Sequence, residues 1–176
     1  LIAKLHMTEG AGIQHHPSFP RPVNPWSEAH WTGVSSSGSG VASAAGLCFA
    51  AIGSDTGGSI RMPSSANNLT GIKPTWGRVS VNGAYELAAS LDHIGPMCRS
   101  AADAGALLGI IAGADPCDAT ARQEPVPDYL AGSDRDLHKL RIGIDPQYTS
   151  QGVDAVMRAA TEHARDVFAG LGAELR

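Results

Sequence analysis

Apolar residues recur at positions 153, 156, 160, 164, 167, 168 and 171, the three-and-four spacing of a helix that presents one apolar face. Gly172 follows the last of them and predicts the stop. Just upstream, the run LRIGI predicts a buried strand over 140–144, and the terminal ELR reads as the first residues of another strand. A second helical stripe, Ala104, Leu107, Leu108 and Ile111, begins behind Ser100 as its cap, with Asp103 three residues on, and ends at Gly113. Earlier patterns are shorter: an Ala-rich helix over 41–47, a buried strand over 48–53, and a short helix starting at Ser59. Residues 1–9 read as the end of a strand entering a loop. Residues 10–39, rich in Gly, Pro, Ser and His, lack periodicity and read as an ordered loop whose His15, His16, Asn24 and Trp26 shape a pocket wall. Residues 114–139, with Pro116, Pro125 and Pro127, read as a surface linker. Strands alternating with helices place the chain in the α/β class.

Composition narrows the function. A chain of 176 residues suits one domain, or one lobe of something larger. Its net charge of −4 supplies no basic stripe for phosphates, which argues against nucleic acid as a partner. The three cysteines, Cys48, Cys98 and Cys117, are odd in number and form no CxxC pair, so neither a disulfide framework nor a zinc site is expected, and a reduced, cytoplasmic setting fits. His15 and His16 are adjacent rather than one helical turn apart, so no metal is expected there either. No run of 18 apolar residues is present, and no membrane partner is expected. The chain opens on Leu1 and closes in the middle of a pattern, so it reads as an internal piece whose principal partner is the rest of the same polypeptide.

The chemistry concentrates in the stretch GVSSSGSGVASAAGLCFAAIGSDTGGSIR, residues 33–61. Gly57 and Gly58 immediately precede Ser59. Glycines there let consecutive backbone N–H groups face one small space, which an oxyanion needs. Ser59 is then the nucleophile, and the hydroxyls of the Ser35, Ser36, Ser37 turn can relay its proton. Asp55 and Arg61 flank the nucleophile with opposite charges and are expected to pair structurally. Asp92 and His93 invite a Ser-His-Asp reading, but adjacent residues do not ordinarily serve each other in a triad. Ser59 also lies in GGSIR rather than in a G-x-S-x-G elbow.

Residues 33–113 resemble the signature region of the amidase signature family of serine hydrolases. GVSSSGSG is similar to that family's GGSSGGS, the run from IGSDTGGSIR through GIKPTWGRVS to its nucleophile and core motifs, and LDHIGPMCRSAADAGALLGIIAG to its LD..GP..R segment. The resemblance implies a mixed β-sheet sandwiched between helical layers, only part of it in this chain, and no cofactor. It implies a Ser, cis-Ser, Lys triad in which Ser59 is the nucleophile and Ser35 the cis-serine, hydrogen-bonded to each other, with the lysine upstream of Leu1. Neither Lys4 nor Lys73 matches that lysine. Val34 stands where the family commonly has glycine. The oxyanion donors would be the N–H groups of Thr56, Gly57, Gly58 and Ser59 in some combination, with Asp55, Arg61 and Ser36 as structural support. The function implied is cleavage of small carboxylic amides, with a homodimer compatible. Two alternatives stand beside it: the glutamine-amidotransferase subunit of a tRNA-dependent complex, and an inactive segment with a structural or binding role. LDHIGP in place of the LDQIGP usual in the amidotransferase branch, and SSANNLTG in place of AAFCGVVG, favour the hydrolase.

Overall fold

A computed structural model describes residues 2–132, 136–138 and 140–176. The chain forms two compact units, Leu1–Ala131 and Gly132–Arg176.

In the first unit, α1 (Ser37–Ala44) leads to β1 (Ala50–Asp55), then α2 (Arg61–Ala66), β2 (Thr70–Gly71), β3 (His93–Cys98) and α3 (Ala101–Ile111). The three strands form one antiparallel sheet in the order β1, β3, β2, and Asp55 lies opposite His93. Ile60, Met97, Cys98 and Ala104 are fully buried and fill the space between sheet and helices. Burial pushes the Cys98 thiol up to about 11. It stays protonated at neutral pH and offers no thiolate to compete with a serine.

The Ser-rich face of α1 is stitched to the sheet rather than left as a turn. Ser39 donates to the Ile52 carbonyl at 2.8 Å and Ser43 to the Met97 carbonyl at 2.9 Å. These bonds explain why α1 starts at Ser37 instead of near Val41. Tertiary hydrogen bonds and close contact outweigh the poor helix propensity of Ser and Gly. Gly38 allows that contact, because a Cβ there would meet the His6 carbonyl oxygen at 2.4 Å. No strand forms over residues 2–8; that segment lies extended against the serine turn, with the Thr8 N–H donating to the Ser35 carbonyl at 3.2 Å. Ser100 caps α3 as its spacing predicts, accepting from the Asp103 N–H at 3.0 Å.

Part of the predicted linker is tied down. Ser80 donates to Asp115 at 2.7 Å, and the Val81 N–H donates to Asp118 at 2.8 Å. In the second unit, β4 (Arg141–Ile142) and β5 (Glu174–Leu175) pair in parallel. Between them come α4 (Pro146–Ser150) and α5 (Ala155–Gly170), which gives the strand, helix, strand order read from the sequence. β4 is shorter than the five residues expected and is not buried, and α5 carries its apolar stripe exposed.

Candidate active site

Between β1 and α2, residues 56–60 wrap around one carboxylate. Asp55 is fully buried. Its Oδ1 accepts from the Gly58 N–H at 2.8 Å and from Arg61 Nη2 at 3.0 Å. Its Oδ2 accepts from the Ile60 and Arg61 N–H groups at 3.2 and 3.3 Å and from Arg61 Nε at 3.0 Å. Burial alone would raise this carboxyl's pKa, but the hydrogen bonds from Arg61 and the two backbone groups outweigh it and hold Asp55 below the ordinary carboxylate range. The carboxylate therefore acts as the template of the turn. Gly58, at φ 133°, adopts a backbone that side-chain-bearing residues rarely reach.

This arrangement divides the N–H groups of the turn. That of Gly58, one of the donors the resemblance offers, is taken by the Asp55 carboxylate. Those of Thr56, Gly57 and Ser59 make no hydrogen bond to any described residue. Ser59 is buried, and its carbonyl accepts from the Ser36 N–H at 3.4 Å, which brings the serine turn and the nucleophile turn side by side. The peptide joining Val34 to Ser35 is cis. The Ser35 hydroxyl is fully buried and has no hydrogen-bond partner among the described residues. It is not hydrogen-bonded to the Ser59 hydroxyl, so the direct contact expected between the two is not made. Nothing described fixes either hydroxyl's rotation, and both remain uncommitted. Ser36 bridges to the strand below, donating to the Ser54 carbonyl at 3.3 Å and accepting from the Ser54 N–H at 3.2 Å. The Ser37 hydroxyl lies 3.3 Å from His15 Nε2, and His15 Nδ1 lies 3.0 Å from His6 Nε2.

Two further contacts to this turn come from Asp92 and His93. The Thr56 hydroxyl donates to Asp92, whose other oxygen accepts from the Leu87 and Ala88 N–H groups at 2.8 and 2.9 Å. His93 Nδ1 approaches the Asp55 carbonyl at 3.2 Å and the Leu91 carbonyl at 2.6 Å. Only the motif LDHIGP signals these contacts in the sequence, and it does not say which backbone its polar residues address. His15, His16 and Asn24 line a cavity of about 380 Å³, as expected of a pocket wall, whereas Trp26 does not; Asn24 and Trp26 also pin their loop to the end of α2. Asn24 donates to the Ala66 carbonyl at 2.8 Å and Trp26 to the Asn67 carbonyl at 2.9 Å.

A cavity of about 1150 Å³ opens on the Thr56 side of the turn, lined by His6, Phe19, Thr56, Tyr85, Leu87 and Asp92 among others. Among the described residues no group of three His, Cys, Asp or Glu side chains comes together as a metal site. No described helix is long and apolar enough to cross a membrane.

Residues 1–176 match the amidase family. A Mycobacterium tuberculosis protein named "Putative amidase AmiD" is 60% identical over 151 residues, which are 85% of this chain and 31% of that protein. A glutamyl-tRNA(Gln) amidotransferase subunit from a Roseiflexus strain is 45% identical over 178 residues, covering 100% of this chain and 37% of that protein. The crystal structure of the corresponding Thermotoga maritima protein superposes with a TM-score of 0.89 at 34% identity, over 97% of this chain and 38% of that one. Native peptide amidase from Stenotrophomonas maltophilia superposes with a TM-score of 0.80 at 33% identity, over 96% of this chain and 36% of that one. The chain thus spans about a third of the length of these relatives.

Proposed function

Because the chain belongs to the amidase family, we propose that it supplies the acyl-transfer site of a carbon–nitrogen hydrolase, with Ser59 as the nucleophile. One observation carries this reading: the Ser59 hydroxyl and the N–H groups of Thr56, Gly57 and Ser59 lie in a single loop and are all uncommitted, while the Gly58, Ile60 and Arg61 N–H groups beside them are spent on Asp55. Ser59 Oγ attacks the carbonyl carbon of a carboxamide while its proton passes to Ser35, and Ser35 passes its own to a neutral lysine of the whole protein. The carbonyl π electrons move to oxygen, where the free N–H groups stabilise the charge. Collapse breaks the C–N bond and the returning proton leaves with the amine. Water then cleaves the acyl ester by the same route.

The test is Ser59→Ala in the whole protein. Labelling by a fluorophosphonate and turnover of carboxamides should both disappear, with the melting temperature retained; surviving labelling would remove Ser59 from the role. A second reading draws on the 0.89 TM-score: the same serine chemistry would release ammonia from glutamine for an amidotransferase complex. Turnover of glutamine to the exclusion of other carboxamides, dependent on added partner subunits, would select it.

A further inference from the structure

His93 stands first in β3, opposite Asp55, with both ring nitrogens engaged. Nδ1 faces two carbonyl oxygens, those of Leu91 and Asp55, which only accept, so Nδ1 carries the proton. Nε2 then presents a lone pair, and it lies 3.1 Å from Lys73 Nζ, an ammonium that only donates. Lys73 is itself held by the Pro74 carbonyl at 3.2 Å. The partners at both ends thus assign the same tautomer. With neither nitrogen free and neither turned to Ser59, His93 is not the base of the reaction.

What it does touch is informative. The Asp55 carbonyl belongs to the same planar amide as the Thr56 N–H, one of the three uncommitted donors of the turn. A donor fixed on the oxygen of an amide sets the plane of that amide and polarises its N–H outward. Asp92 grips the hydroxyl of the same Thr56. Residues 92 and 93 therefore hold this one peptide from one side, while the Asp55 carboxylate holds the rest of the loop from the other.

Building on the acyl-transfer reading above, we propose that His93, braced by Lys73, is a positioning residue that aims and polarises the Thr56 N–H at the oxyanion formed during attack by Ser59. It acts through the peptide, although its ring also borders the cavity beside Thr56. Its loss should weaken binding of the tetrahedral state more than binding of the ground state.

The test uses the whole protein and two probes that need no known substrate: the rate of fluorophosphonate labelling, and the protection of Ser59 by an alkyl boronic acid, which forms a tetrahedral adduct. His93→Leu should slow labelling and weaken boronate protection by a similar factor, on the order of 10- to 100-fold. His93→Gln, whose amide N–H can reach the same carbonyl, should recover most of both. Lys73→Met should fall between them. The proposal is overturned if folded His93→Leu stays within about threefold of wild type in both measurements, or if His93→Gln is as impaired as His93→Leu. Should His93→Leu not fold, wild-type values in Lys73→Met overturn it. Ser59→Ala separates the two levels: labelling that survives that change sinks the acyl-transfer reading, whereas labelling that Ser59→Ala removes and His93→Leu leaves intact sinks only the positioning role.

Discussion

Asp55 and Arg61 form an ion pair whose two members are not equivalent, since the carboxylate is fully buried and the guanidinium is 54% exposed. Removing Asp55 strands the Gly58 and Ile60 N–H groups inside the turn, at about 1–3 kcal/mol each. Removing Arg61 leaves the carboxylate with its backbone donors. Asp55→Ala should therefore cost about 3–5 kcal/mol and Arg61→Ala clearly less, an ordering that urea denaturation of the two variants would check. The sign of the pH dependence follows from the lowered Asp55 value. Its stabilisation is complete above the ordinary carboxylate range and drains away as pH falls through the folded value. Asp118, held down to about 2 by the Thr120 hydroxyl and the Val81 and Thr120 N–H groups, behaves alike. Melting temperature should hold above about pH 5 and fall below about pH 4, less steeply in Asp55→Asn. An equally steep acid slope in Asp55→Asn would assign the loss to other carboxylates.

Among the elements, α1 shows best what the chain makes legible and what it conceals. The stripe and cap of α3 and the long stripe of α5 are readable because apolar spacing and local capping decide them, and both helices lie within two residues of their expected limits. Local spacing could not set the start of α1, because Ser39 and Ser43 bond to carbonyls of Ile52 and Met97, far along the chain. For the same reason α2 begins at Arg61 and not Ser59: the Ile60 and Arg61 N–H groups are drawn to Asp55. The motif showed where Ser59, Ser35, Asp55 and Arg61 fall, but it could not show that Gly58's N–H is spent or that His93 addresses the Asp55 carbonyl. The first depends on which way the Asp55 carboxylate turns, and the second on the register of β1 against β3. Ser43→Ala should remove the second donor to the Met97 carbonyl, which stays paired with β1, and lower stability by about 1 kcal/mol, measurable by thermal melting. A change within 0.5 kcal/mol, on the order expected for a surface site, would mean that the hydroxyl bond contributes nothing.

At the scale of the molecule, two features point beyond the 176 residues. α5 leaves Val156, Met157 and Phe168 exposed at 78%, 50% and 40%, and the Ser35 hydroxyl is buried without a described partner. An unassisted serine hydroxyl is a weak nucleophile at neutral pH. The 176-residue chain by itself should therefore label with fluorophosphonate slowly, and the whole protein faster by orders of magnitude. Rapid labelling by the isolated chain would show that the base lies within it.

The way Asp55 apportions the amides of its turn has a consequence for solvent exchange. Along five successive positions, deuterium should enter in an uneven sequence: quickly at Thr56 and Gly57, slowly at Gly58, quickly again at Ser59, and slowly at Ile60. A covalent boronate adduct at Ser59 should even out this pattern, slowing the fast positions and leaving the slow ones unchanged. Residue-resolved exchange would then identify the amides that receive the charge without any substrate being known.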